Sequence, residues 1–326
     1  MAVLSAVACK SIAMTRPLTI ARACPWILLL VGCCFGAEPT TISSFRDPAE
    51  LVRKTIQNEI KTDKSSNGFF LYRGVKTTPR DSTTRLFVET KEATAGLVIA
   101  YGGKPLTPEQ RQAEEARIQR FLNHPEELRK KREQDKEEDE HTLRIMRAIP
   151  DAFLFDYEGE QLATEHVGHL GDHLVKLSFR PNPKYQPPSR VEEVLTGMKG
   201  YLLIDPVRLR LASIDGTLFK EVAFGWGILG HLNSGSRFLV QQQEVGENGW
   251  EVSNMTLDFS GKILLIKNLS IKSIETFSDF RPVPPNLTFA QAVDLLKKQE
   301  ASITAAGQPL PVSPDGEITG SRMAVK

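Results

Sequence analysis

From Phe153 onward the sequence is a succession of short β-forming runs separated by turn residues, and this pattern restricts the fold more than any other feature. The runs are Phe153–Glu160, Leu174–Arg180, Tyr201–Ile204, Leu209–Ile214, Thr217–Phe224, Arg237–Val245, Trp250–Phe259 and Ile263–Thr276. Asp215-Gly216 and Asn248-Gly249 are dipeptides that close tight hairpins. Connections this short leave no room for the helical crossovers that parallel strands need, so the pattern predicts an antiparallel meander. Three further runs, Phe69–Val75, Thr84–Thr90 and Ala95–Tyr101, precede it.

Helices punctuate the strands. Asp47-Pro48-Ala49-Glu50 reads as a helix start, with Asp47 as cap and Pro48 at the first helical position, for a helix over roughly 48–62. Thr107-Pro108-Glu109-Gln110 fits a capping box and predicts a helix to about Leu122. Pro125 starts a second helix that Pro150 is expected to stop. Residues 126–141 are almost entirely charged, and Arg129/Glu133, Lys131/Asp135 and Lys136/Glu140 are opposite charges four apart, the signature of a solvated helix face. Leu143, Ile145, Met146 and Ile149 then restore apolar character. This arm, 107–149, is an insertion between strands. A short helix is expected from Ser189 to Met198, and Thr288 caps a last one to about Lys298. The polar segment 301–326 is expected to be a disordered tail, leaving 38–300 as one β-rich domain.

The first 37 residues have the composition of an export signal. Arg16 and Arg22 flank Trp26-Ile27-Leu28-Leu29-Leu30-Val31, an apolar run too short to span a bilayer, and small residues follow. Leu30-Val31-Gly32-Cys33 resembles the bacterial lipobox, in which the cysteine is acylated. Two alternatives stand beside it: ordinary cleavage near Gly36 or Ala37, and retention of the segment as an uncleaved anchor. All four cysteines lie at or before Cys34, so the folded body has neither a disulfide nor a thiolate ligand or nucleophile. A formal net charge of +1 gives no field for nucleic acid. The expected location is the periplasm or the outer membrane, with a membrane contact through a lipid anchor on Cys33.

Gly200-Tyr201-Leu202-Leu203-Ile204-Asp205-Pro206, followed by Leu209-Arg210-Leu211, resembles a glycine–apolar–Ile-Asp-Pro strand and its successor in the lipoprotein-localisation-factor superfamily, which sorts outer-membrane lipoproteins. Leu177-Ser178-Phe179-Arg180-Pro181-Asn182-Pro183 resembles the strand that comes before them there. Tyr101 to Glu109, with the charged helices behind it, is also similar to a group of uncharacterised exported bacterial proteins on the same scaffold. The resemblance implies an α+β, mostly antiparallel fold: a curved incomplete β-barrel with covering helices, here with an inserted charged helical arm. It implies a concave apolar face that holds acyl chains, and hence a lipid or an acylated lipoprotein as partner, with no cofactor and no catalysis. The charged arm 107–149 is longer than a plain carrier needs, so an envelope protein-interaction or sensing module is the alternative reading.

Two clusters carry candidate chemistry. His166, His169 and His173, with Glu165 and Asp172, could hold zinc in a hydrolase. Gly168 and Gly171 make that segment a loop whose side chains splay, however, and the spacing matches no known catalytic pattern, so no metal and no catalytic residue is assigned. Phe224, Trp226, Ile228, Leu229 and Leu232 stand among alternating glycines, as in an apolar loop at the mouth of a lipid cavity. A buried turn is the competing expectation for that loop.

Overall fold

The computed structural model describes residues 47–65, 68–224, 230–246, 249–263 and 267–305. The N-terminal segment with Cys33, and Trp226, Ile228 and Leu229, therefore lie outside the described residues. The chain begins with α1 (Pro48–Ser65), then β1 (Phe69–Thr77), β2 (Ser82–Val88), β3 (Ala95–Tyr101) and the two-residue β4 (Lys104–Pro105). The helical arm follows as α2 (Pro108–Asn123) and α3 (Pro125–Ala152). Next come β5 (Phe153–Leu162), β6 (His173–Pro181), the short α4 (Arg190–Glu193) with a 3-10 turn after it, β7 (Met198–Asp205) and β8 (Arg210–Leu218). The rest is β9 (Val222–Phe224), β10 (Gly230–Leu232), β11 (Arg237–Val245), β12 (Gly249–Ile263), β13 (Lys267–Val283) and α5 (Phe289–Ala305).

The fold is α+β, with one 13-stranded antiparallel sheet ordered β4-β3-β2-β1-β13-β12-β11-β8-β7-β6-β5 and β9–β10 branching from β12. The sheet is open. One edge is β4 and the other is β5, and these strands are consecutive in the chain. The helical arm therefore leaves from one edge and returns at the other. With 28 residues, α3 is about 42 Å long at 1.5 Å per residue, enough to cross the mouth of the curved sheet.

Each helix forms for local reasons that the structure makes explicit. The Ala49 N–H donates to the Asp47 carboxylate at 2.9 Å at the start of α1. Thr107 and Gln110 exchange the two bonds of a capping box at the start of α2, and Thr288 and Gln291 do the same at the start of α5. The three charge pairs expected on α3 are present at 3.7, 2.7 and 3.8 Å. Pro150 does not stop α3 but sits in its last turn. There its missing N–H removes one bond, and Asn182 holds the end from outside: its backbone N–H donates to the Ala152 carbonyl at 2.8 Å and its amide to the Asp151 carbonyl at 2.9 Å. The last helix also runs further than Lys298, to Ala305.

Asp215-Gly216 is not a hairpin. It lies inside β8, where Gly216 faces Gly200 of β7. A Cβ on Gly200 would fall 1.8 Å from the Asp215 carbonyl oxygen, and one on Gly216 would fall 2.3 Å from the Phe238 ring. The glycines permit a close crossing of backbones and rings rather than a reversal of the chain. Asp215 is instead tied across the sheet, its carboxylate accepting from Arg237 at 3.0 and 2.6 Å.

The sheet buries two faces. On the β1–β3 side, Leu71, Leu86, Val88 and Leu97 pack against Ile118 of α2 and Phe289, Val293 and Leu296 of α5. Tyr72, the neighbour of Leu71, points to the opposite, concave face, because side chains alternate along a strand. The larger core lies on that concave face, where Leu51, Val52 and Ile56 of α1 and Ile149 of α3 meet strands β5 to β12. The outer side of β3 is paired by β4 only at Ala100 and Tyr101. Ahead of those residues α2 supplies the partners: Val98 N–H donates to Glu114 at 2.7 Å, and Arg117 donates to the Gly96 carbonyl at 2.6 Å and to Glu114 at 2.7 Å. An ion pair thus stands in for the missing strand and blocks edge-to-edge association.

Burial opposes ionisation of Glu114, but the Arg117 and Val98 hydrogen bonds outweigh it and hold the carboxyl below its ordinary range. The stability gained from that charge is present above the ordinary glutamate pKa and is lost as pH falls through the depressed folded-state value. Glu114→Gln should lower urea stability at neutral pH by about 1–3 kcal/mol, with the difference from wild type shrinking on acidification. Gly200→Ala should cost about 3 kcal/mol or more, because the clash is with backbone.

Candidate functional site

Beneath α3 the concave face does not fill with side chains. A cavity of about 290 Å3 remains, at the small end of the range for ligand pockets. Its roof is Leu143, Ile145, Met146 and Ile149 of α3 together with Ile60 of α1. Its walls are Phe153 of β5, Phe179 of β6, Ile214 of β8, Phe238 and Val240 of β11, Leu257 and Phe259 of β12, Phe277 and Phe280 of β13 and Tyr72 of β1. From β1 to β5 is seven strand spacings along the sheet, about 34 Å if the sheet were flat. Residues from both strands line one cavity only because the sheet wraps around it.

Aromatic rings form one corner. Tyr72 stacks between Phe87 and Phe280 at centroid distances of 5.1 and 5.2 Å, with Phe277 edge-on at 6.0 Å. Polar side chains also reach the lining, namely Glu59, Glu89, Asp139, Thr142, Arg210, Gln242 and Glu251, and they include a buried ion pair. Arg210 of β8 donates to Glu59 of α1 at 2.9 Å, the Leu211 N–H donates to the same oxygen at 2.7 Å, and both side chains are buried. The Arg210 guanidinium also lies 5.3 Å from the Trp250 ring centroid. Next to Glu59 on α1, Asn58 donates to the carbonyls of Arg208 and Leu209, both at 3.1 Å. These bonds fix α1 across the end of β8, and α3 in turn leans on α1.

The residues of the Gly200–Leu211 motif take structural parts in this wall. Asp205, 1 % exposed, accepts from the backbone N–H groups of Val207 and Arg208 at 2.9 and 2.8 Å and so shapes the β7–β8 turn. That turn places Leu209 at φ 52° and delivers Arg210 to Glu59. Leu202, Ile204 and Leu211 belong to the concave core.

The three histidines are not brought together. They lie on a flap, residues 163–172 and the start of β6, that folds against the outer face over Leu174, Ala212 and Trp250. Gly168, at φ 81°, pairs with β11: its N–H donates to the Gln242 carbonyl at 2.8 Å and its carbonyl accepts from the Glu244 N–H at 3.2 Å. His169 contacts Glu244, and His173 lies 3.2 Å from Glu160. The His166 carbonyl accepts from the Ser253 hydroxyl at 2.6 Å, and Asp172 pairs with Arg208. Among the described residues no three such side chains converge as a metal site. Of the apolar loop, Phe224 ends β9 and Leu232 lies in β10, buried in the concave core, while Trp226, Ile228 and Leu229 fall outside the described residues.

Sequence reasoning missed the lining itself. Leu143, Met146 and Ile149 were visible as an apolar stripe ending a charged helix, but the face they cover depends on the strand order. Among the described residues no helix is long and apolar enough to cross a membrane.

No protein-family model and no curated protein matches the chain. Two solved structures are similar to it at a distance. An outer membrane lipoprotein-sorting protein domain from Vibrio parahaemolyticus is 12 % identical, over 76 % of this chain and 99 % of that one, with a TM-score of 0.26. A DUF1329 family protein from Desulfovibrio piger is 9 % identical, over 77 % of this chain and 99 % of that one, also with a TM-score of 0.26.

The buried pair gives a direct check on how α1 is held. Arg210→Met leaves Glu59 buried without its cation and should cost about 3–5 kcal/mol in urea unfolding. Replacing both by methionine should recover most of that loss.

Proposed function

We propose that the protein is a non-catalytic binding protein of the bacterial envelope that holds an acyl chain, from a lipid or an acylated lipoprotein, in the cavity under α3. The observation that carries this reading is the cavity: about 290 Å3 of space behind a roof of Leu143, Met146 and Ile149, with walls mainly of phenylalanine and aliphatic side chains. Well-packed interiors leave few voids larger than a water molecule, so an apolar space of this size suits an apolar guest. Each methylene moved from water into it gains roughly 0.8 kcal/mol. Binding is then a partition driven by apolar burial, with no covalent step. The envelope assignment is supported by the signal-like composition of residues 1–37, and an anchor on Cys33 would keep the cavity near a membrane surface.

Met146→Asp introduces a charge into the roof, and it should raise the dissociation constant of an apolar fluorescent probe at least about tenfold. Arg132→Asp, on the exposed part of α3, should leave it unchanged. Equal probe binding by both variants would remove the cavity as the binding site.

A further inference from the structure

A second concavity lies on the outside of α3. It is an open cleft of about 710 Å3 between the C-terminal third of that helix and the Tyr185–Pro188 segment. Leu143 belongs to the walls of both the cleft and the inner cavity, so this half-buried side chain stands between them.

The charges around the cleft are unevenly engaged. Two of its three carboxylates pair with cations, Glu140 with Lys136 at 3.8 Å and Asp151 with Arg53 at 2.8 Å, while the buried Glu192 accepts only from the neutral Ser189 hydroxyl. Arg144 and Arg147, exposed and nearly one turn apart on α3, have no such partner among the described residues. The Tyr185 hydroxyl is buried with no hydrogen-bond partner among those residues. Burial, then the charges of Glu192 and Asp151, push its pKa up, so it stays a neutral donor. Two uncommitted guanidinium forks and an orphaned phenol are the donors that a phosphate or carboxylate accepts from.

We infer that this cleft is the doorway of the cavity and the seat of an anionic head group, a phosphate or carboxylate whose apolar tail passes Leu143 into the space beneath α3. The inference rests on the acyl-binding reading above and adds the ligand's polarity and route. An anionic amphiphile satisfies both concavities at once: its tail fills the inner cavity, and its head meets Arg144 and Arg147 in the water-facing cleft, with the buried Tyr185 hydroxyl behind them.

The test is displacement of an apolar fluorescent probe from the protein as processed by its host, using dodecyl phosphate, dodecyl maltoside and inorganic phosphate as competitors. Dodecyl phosphate should act at about tenfold lower concentration than the uncharged maltoside, the effect of two exposed charge pairs. Arg144→Ala/Arg147→Ala should abolish that difference while leaving the maltoside curve in place, and inorganic phosphate should displace nothing. Leu143→Trp should slow displacement several-fold without lowering the melting temperature. Equal potency of the two amphiphiles, or a preference that survives in the double variant, would overturn the head-group seat. An unchanged rate in Leu143→Trp would overturn the doorway. Displacement by neither amphiphile would instead overturn the acyl-binding reading, and this inference with it.

Discussion

The chain leaves the sheet at one edge strand and rejoins it at the other, and everything about the concave face depends on that constraint. Since β4 and β5 are consecutive in sequence but lie at opposite ends of the strand order, the arm between them has to cross the mouth of the sheet. A sheet open in this way has an apolar concave face and no second sheet to cover it. The covering falls to α3, whose charged first half faces water and whose last turns carry Leu143, Ile145, Met146 and Ile149 inward. A helix packed across a curved sheet touches its rim more closely than its centre, and the remaining space is the cavity.

Keeping that roof in place requires polar attachment at a few points. The Glu59–Arg210 pair joins α1 to β8, Asn182 holds the end of α3, and Glu114 with Arg117 fastens α2 along the β3 edge. Each uses a charge or amide to complete backbone or buried groups that would otherwise lack partners, which is where single hydrogen bonds matter most. The same economy explains the Gly200–Leu211 motif: its glycine allows two backbones to approach, its aspartate makes a turn, and its arginine anchors a helix.

Much of this fold is legible from the residues. The runs at Ala95–Tyr101 and Arg237–Val245 are strands with the boundaries the pattern suggests, and the Thr107 capping box and the three charge pairs of α3 appear where their spacing puts them. Local chemistry decides these features. Asp215-Gly216 misleads because the signal of a turn is the freedom of glycine, and a strand crossing uses the same freedom for a different purpose. Pro150 misleads because Asn182, distant in the sequence, supplies the helix end with partners. The cavity was not legible in detail. It is assembled from a few residues on each of most of the strands, and only the strand order brings Tyr72 and Phe153 to the same space.

The measurement that bears most directly on the central claim is extraction of the natively purified protein with organic solvent, followed by mass spectrometry of the extract and native mass spectrometry of the unextracted protein. The cavity reading predicts a near-stoichiometric acyl-bearing molecule, lost when the roof is charged by Met146→Asp. A stable, correctly folded protein that carries no such molecule, and takes none up when offered acyl lipids, would contradict it.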